Sequence, residues 1–256
     1  MRKATPVPFD PRKILSEDDH FVAVHKEAGE LVVADRFGLE KSVLLHDLGE
    51  HLRSAGHKPD ATGRDLYPVH RLDRDTSGVV LFAKHEEAHR ALSRMFEGRE
   101  MHKTYWAFVV GAPAWSWCRC EIPLSRAEGK KGRGRALVDL ARGKPAETDF
   151  LVKEIFGDVS WIEARPRTGR LHQIRVHLRS LGHPLLVDHQ YGLEDWRSAS
   201  FPGMELTRMP LHARSLSFTH PFTKNPVDLN APLGGELRAL LDRLKKRGDD
   251  LAGLPE

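Results

Sequence analysis

The sequence predicts an α/β fold built as one domain, and three observations carry that expectation. Segments rich in aromatic and β-branched residues alternate with segments whose leucines recur at helical spacing. No internal repeat and no second domain boundary is visible. The 256 residues are 40% hydrophobic and 30% charged, enough apolar material to bury a sizeable core and too balanced for a disordered or fibrous chain.

Residues 20–26 (HFVAVHK) alternate apolar and polar, the pattern of a half-buried strand, which the Glu27–Gly29 stretch ends. Leu44, Leu48 and Leu52 then define a short amphipathic helix that Gly56 closes. A polar, glycine-containing loop leads to Gly78–Lys84 (GVVLFAK), a buried strand, and Ala88, Ala91, Leu92, Met95 and Phe96 follow at i, i+3, i+4, i+7 and i+8 of a helix. Thr104–Val110 (TYWAFVV), 148–153 and 159–164 read as further strands. Leu237, Leu240, Leu241 and Leu244 mark a last helix, and the final residues read as frayed.

From Arg126 to Lys144 the composition changes: seven Lys/Arg stand against Glu128 and Asp139, with four glycines interspersed, which predicts a basic loop or hairpin. The net charge of +4 permits a polyanionic partner. Cys118 and Cys120, the only cysteines, are spaced for neither a disulfide framework nor a C-x2-C zinc knuckle, so a reducing compartment is expected. Met1–Asp10 holds two prolines and no apolar run, which argues against a signal peptide or membrane span and for a cytoplasmic protein.

The segment 164–181 (ARPRTGRLHQIRVHLRSL) has five arginines and no acid, with Thr168 available as a cap and Gly182 and Pro184 to stop a helix over about 170–181. On a 3.6-residue period Leu171, Ile174, Leu178 and Leu181 form the inward stripe, with Arg175 on its edge, while Arg170, His177 and Arg179 fall on faces open to phosphates. A guanidinium held against apolar surface keeps its charge, so Arg175 requires a carboxylate, preferably bidentate. The best partner lies in the loop 68–78 (PVHRLDRDTSG), where Asp73 and Asp75 alternate with Arg71 and Arg74 ahead of a buried strand. Asp75 with Thr76, Ser77 and Gly78 reads as a turn, leaving Asp73 as the candidate for chemistry.

These residues resemble a known family. HRLDRDTSG, preceded by Pro68–Val69, is similar to the active-site motif of the RluA-type pseudouridine synthases. Four more stretches resemble that family in order: ILSEDDHFVAVHKEAGELVV, HKTYWAFVVG, RTGRLHQIRVHLRSLGHPLL and MPLHARSLSFTHP. The resemblance implies a mixed, mostly antiparallel central sheet with flanking helices and a basic RNA-binding cleft where loop 68–78 meets helix 170–181. It implies a catalytic domain over 14–248, between an extension over 1–13 and a tail over 249–256. By the same resemblance Asp73 is the catalytic aspartate, Tyr105 of KTY packs on the target base and assists proton removal, and Arg175 pairs with the aspartate. His70 and Arg71 are expected to contact RNA or fill the gap left by the extruded nucleotide; Arg74, Thr76, Arg170 and His172 are further expected RNA contacts. The sequence departs from the family where Val187 replaces the usual glycine, with His189 and Gln190 following, and no room precedes Ile14 for the small RNA-binding module of many relatives.

Uridine and pseudouridine are isomers, so the implied reaction, on ribosomal or transfer RNA, requires neither redox partner nor group donor. No cofactor is expected, and neither G-x-G-x-x-G nor G-x4-G-K-[ST] occurs. A carboxylate suits glycosidic cleavage: it can attack the sugar, add to the uracil ring or abstract a ribose proton. A stacked uridine must be extruded, which costs a few kcal/mol, and an aromatic face returns about 1–3 kcal/mol per base. A monomer with an RNA partner and no membrane association is expected. Three rivals are weighed against this. A binding protein without catalysis would be indifferent to Asp73. A glycoside hydrolase pairing Asp73 with Asp75 or Glu163 fits poorly with 7% aromatics. A metal site from His172, His177, His183 and His189 lacks the H-E-x-x-H spacing, so no metal is expected.

Overall fold

The computed structural model describes residues 9–34, 43–127, 134–193 and 206–252, without the side chains of 248–252. Its residues gather into two compact units, one of 1–102 with 213–232, the other of 103–212 with 233–256.

In the first unit β1 (Ile14–Glu17), β2 (Phe21–Lys26) and β4 (Ser77–Ala83) are consecutive strands in an antiparallel arrangement. β3 (Tyr67–Pro68) pairs with the end of β4, while β12 (Pro226–Asn230) pairs with β11 (Leu211–Thr219), the next neighbour of β4. Helix α1 (Leu44–Ser54) buries Leu44, Leu48 and Leu52, and Gly56 at φ 97° ends it, as the leucine spacing predicts. Helix α2 (Glu86–Glu97) buries Ala88, Leu92 and Met95. His85 accepts the Ala88 N–H at its start, and Glu86 and Glu87 sit where the helix dipole favours negative charge. One face of the sheet (Phe21, Ala23, Val79, Leu81) packs with α2, and the other (Val22, Val24, Val80, Phe82) is equally buried. β2 therefore corrects the half-buried strand expected from its alternation: all six residues are buried, His25 and Lys26 included.

In the second unit β5 (His102–Val110), β10 (Val159–Pro166), β9 (Thr148–Phe156) and β6 (Trp117–Cys120) lie side by side, each pair antiparallel. α4 (Gly235–Ala252) covers this sheet through Leu237, Leu240, Leu241 and Leu244, which pack with Phe108, Phe156 and Val159. Val187, where the family resemblance implies glycine, fills the same cluster. The basic 126–144 stretch contains an antiparallel pair, β7 (Leu124–Ala127) with β8 (Arg135–Val138), the hairpin of its sequence expectation; residues 128–133 lie outside the described residues, as do 1–8 and 253–256.

Candidate active site

The loop 68–78 is fixed by its own unit at several points. Pro68 lies opposite Phe82; the His70 ring stacks on Phe96 with centroids 4.8 Å apart, and its Nε2 accepts the Leu81 N–H at 3.0 Å. Leu72 is buried, and the Thr76 N–H donates to the Asp73 carbonyl at 3.1 Å, closing the turn that displays Asp73. The strongest hold comes from Lys26, fully buried, whose Nζ donates to the carbonyls of Glu27 (2.9 Å), Arg74 (2.8 Å) and Thr76 (2.7 Å). An ammonium has three donors, and two carbonyls of this bend with that of Glu27 take them, offsetting the cost of burying the charge. Arg74 is held a second time, its carbonyl accepting the Gly29 N–H at 2.9 Å and its Nε donating to the Gly29 carbonyl at 3.1 Å. Gly78, at φ 121°, has the backbone of Ala213 where a Cβ would stand, so no other residue fits at the end of this motif.

Asp73 is half-buried, and Arg71, Arg74 and Asp75 are exposed. Thr76 is buried, its Oγ1 without a hydrogen-bond partner among the described residues, so it braces the turn and presents no surface.

In the second unit Tyr105 sits on β5 opposite Ala164, half-buried against the cluster containing Ile162, Ala164 and Ile174. The arginine-rich helix is shorter than its sequence predicts. α3 runs Gln173–Ser180; Thr168 does not cap it, because its hydroxyl donates to Gln173 Oε1 (2.7 Å) and accepts the Glu147 N–H (2.9 Å). His172 occupies the cap position in the left-handed region at φ 51°. At the other end His183 N–H reaches the Leu178 carbonyl past Gly182 at φ 84°, a Schellman closure.

Six consecutive residues of α3, Gln173 to Leu178, are buried, so the expected single apolar stripe is corrected to burial nearly all round. His177, expected to face phosphates, is completely buried. The reason is a polar chain that satisfies the inward groups. Gln173 Nε2 donates to Thr148 Oγ1 (2.9 Å), which lies 3.0 Å from His177 Nδ1, while His177 Nε2 meets the Ile122 carbonyl at 3.0 Å. Burial lowers the His177 pKa, keeping the ring neutral.

Arg175 is 9% exposed, as its position on the stripe requires. A bidentate carboxylate meets it: Nε and Nη2 each donate to Asp188, at 2.7 Å to Oδ2 and 2.7 Å to Oδ1. Asp188 is the partner that sequence reasoning missed, although a signal existed: it is the only acid between Glu163 and Glu194 and directly follows Leu185–Val187. Burial pushes the Asp188 pKa up, but Arg175 and the N–H groups of Gln190 and Tyr191 outweigh that and hold it below the usual carboxylate range. Beside this pair the Tyr191 ring lies 4.9 Å from the Arg175 guanidinium, and its hydroxyl contacts His172 Nδ1 at 2.8 Å. Arg170 is half-buried and Arg179 exposed, donating to the carbonyls of Pro145 and Gly192 respectively.

Glu163 is tied to Arg165 at 2.8 Å, an ion pair that does not suit a hydrolytic acid. Among the described residues no group of three His, Cys, Asp or Glu is placed to hold a metal, and no helix is long and apolar enough to cross a membrane.

Residues 20–180 match the RNA pseudouridylate synthase family, a segment that contains Asp73, Tyr105 and Arg175. The chain belongs to that family. It is 38% identical to the ribosomal large subunit pseudouridine synthase C of Vibrio vulnificus (strain CMCP6), over 91% of this chain and 69% of that protein. With the synthase C of Yersinia pestis it shares 39% over 91% and 69% of the two chains. These relatives establish the RluA-type branch. Two solved human structures are similar throughout: RNA pseudouridylate synthase domain containing 4 (TM-score 0.70, 25% identity, 91% of this chain and 93% of that one) and domain containing 1 (TM-score 0.68, 26% identity, 95% and 96%). The expected α/β class with a mostly antiparallel sheet is thereby borne out, and this pseudouridine synthase is an isomerase acting on RNA uridine. Asp188 and Tyr191 lie just beyond the matched segment.

Proposed function

We propose that this pseudouridine synthase modifies ribosomal RNA of the large subunit, in the cytoplasm and as a monomer, through residues 14–248 and with Asp73 as the group on which the chemistry depends. The observation that carries the residue assignment is the construction of the turn bearing Asp73: a buried ammonium is held beneath it by the carbonyls of Arg74 and Thr76, an expensive arrangement for a loop without a task. The ribosomal target rests on the named activity of relatives 38% and 39% identical.

In this reading the target uridine is turned out of its stack and Tyr105 offers the flipped base a face. Asp73 acts on the sugar or ring as a carboxylate, and Arg175 keeps it ionised and aimed. Arg71, Arg74, Arg170, His70 and His172 serve the RNA, the arginines by phosphate contact and the two histidines by shaping the surface, while buried Thr76 only braces the turn beneath. The reaction needs no cofactor.

The test is Asp73→Asn on ribosomal RNA transcripts. Pseudouridine formation should fall below detection, a loss of at least about 10³-fold, while RNA affinity stays within about threefold, or roughly 0.7 kcal/mol. A variant that modifies RNA at the parental rate sinks the assignment. Mapping pseudouridine in total RNA from cells with and without the gene identifies the target, and an unchanged large-subunit map removes the ribosomal proposal.

A further inference from the structure

Tyr191 joins three elements that the proposed function uses separately. Its hydroxyl accepts the Ala136 N–H of β8 at 2.8 Å and, with its own proton available, can donate to His172 Nδ1 at 2.8 Å. Its backbone N–H donates to Asp188 Oδ1 at 3.0 Å, the oxygen that Arg175 Nη2 also meets. Its ring lies between two guanidinium groups, 4.9 Å from Arg175 and 5.2 Å from Arg135, and Arg135 Nη2 donates to the neighbouring Gln190 carbonyl at 2.9 Å. The side chain is buried, 6% exposed, so both hydroxyl contacts are made away from water, where geometry matters most.

We propose that Tyr191 is a positioning residue that couples the basic hairpin β7–β8 to Arg175, so that RNA held by the hairpin sets the orientation of the arginine. The proposal rests on the reading that the chain modifies RNA and that the hairpin meets phosphates. A displacement of β8 reaches the Asp188–Arg175 pair through Tyr191, from Ala136 N–H to its hydroxyl and from its N–H to Asp188, and the neighbouring Arg135–Gln190 contact runs beside that route. The other branch ends at His172, whose left-handed conformation costs about 1–2 kcal/mol in an L-residue and therefore needs a partner to hold it. Strain held by a tyrosine that also grips a phosphate-facing strand gives the site two settings, hairpin engaged and hairpin released.

The test is a double-mutant cycle on single-turnover pseudouridine formation at saturating ribosomal RNA transcript, between Tyr191→Phe and a hairpin variant, Arg126→Gln with Lys144→Gln. Tyr191→Phe keeps the ring and removes only the hydroxyl. It should slow the rate about tenfold while RNA affinity stays within about twofold. In the hairpin variant, already slowed, the same substitution should have no further effect, because both changes remove one coupling. Equal slowing by Tyr191→Phe in the two backgrounds, as a merely structural role would give, or a rate unchanged in the parent, overturns the proposal. Should Tyr191→Phe lose its fold, Arg135→Gln at an exposed position carries the test: a slowing of about threefold is expected, and an unchanged rate overturns it. An unsubstituted protein that forms no pseudouridine in the transcript means that the proposed function has failed, not the coupling.

Discussion

Arg175 and Asp188 form an ion pair in which neither group is solvated, the two side chains being 10% and 1% exposed. Buried pairs of this kind contribute little over an apolar replacement, yet losing one partner costs about 3–5 kcal/mol because the other charge remains. Asp188→Asn leaves the guanidinium facing an amide and should destabilise the protein by that amount in urea unfolding at neutral pH. The pH dependence follows from the direction of the shift. Because the folded pKa of Asp188 is depressed, its contribution is complete above the unfolded value of about 3.9 and is lost as pH falls through the lower folded one. The stability gap between parent and variant should therefore persist from pH 7 to about 5 and close below about pH 4; a gap independent of pH contradicts the assignment. Sequence reasoning placed Arg175 inside and demanded a carboxylate. It named only Asp73, because Asp73 stands in a dense polar motif and Asp188 stands alone after an apolar run.

Elements with a clean period were legible. The leucines of α1, the 3–4 spacing of α2 and the continuous apolar run of β4 each fixed an element and its buried face. α3 was legible in place but not in burial, since His177 and Gln173 carry polar atoms whose partners come from far earlier in the chain, Thr148 on β9 and the Ile122 carbonyl between β6 and β7, 25 to 55 residues away. β11 (LHARSLSFT) is visible in the sequence as a family-like stretch but not as a strand, because its polar and basic residues interrupt any apolar run, although it supplies the backbone that passes against Gly78. The basic hairpin was visible from composition, and its strands pair as expected. Its exposed Arg126 and its Lys144 are suited to phosphates. Arg126→Gln with Lys144→Gln should lower the slope of log affinity against log salt by about one to two, roughly one for each phosphate that is no longer neutralised. An unchanged slope in filter-binding titrations places the hairpin away from RNA.

At the scale of the whole molecule neither compact unit is a continuous piece of chain. Residues 213–232 complete the first and 233–256 the second. A chain ended after Pro232 keeps every described strand but loses α4, and with it Leu237, Leu240, Leu241 and Leu244, leaving Phe108, Phe156 and Val159 uncovered. At about 1.5–3 kcal/mol per buried side chain, four leucines contribute about 6–12 kcal/mol, the size of the typical net stability of about 5–15 kcal/mol for a domain. Such a truncated chain should show no cooperative thermal transition by circular dichroism; a sharp melting curve means that α4 is dispensable. Activity encoded between residues 20 and 180 therefore depends on a segment more than fifty residues downstream.

Lys26 changes how the protein meets reagents from outside. Its amine lies under the turn it ties, out of contact with solvent. Acylating chemistry that marks surface lysines at once can reach this one only after the bend carrying Asp73 has lifted. Its labelling then keeps time with the opening of that turn, a clock already wound into the chain.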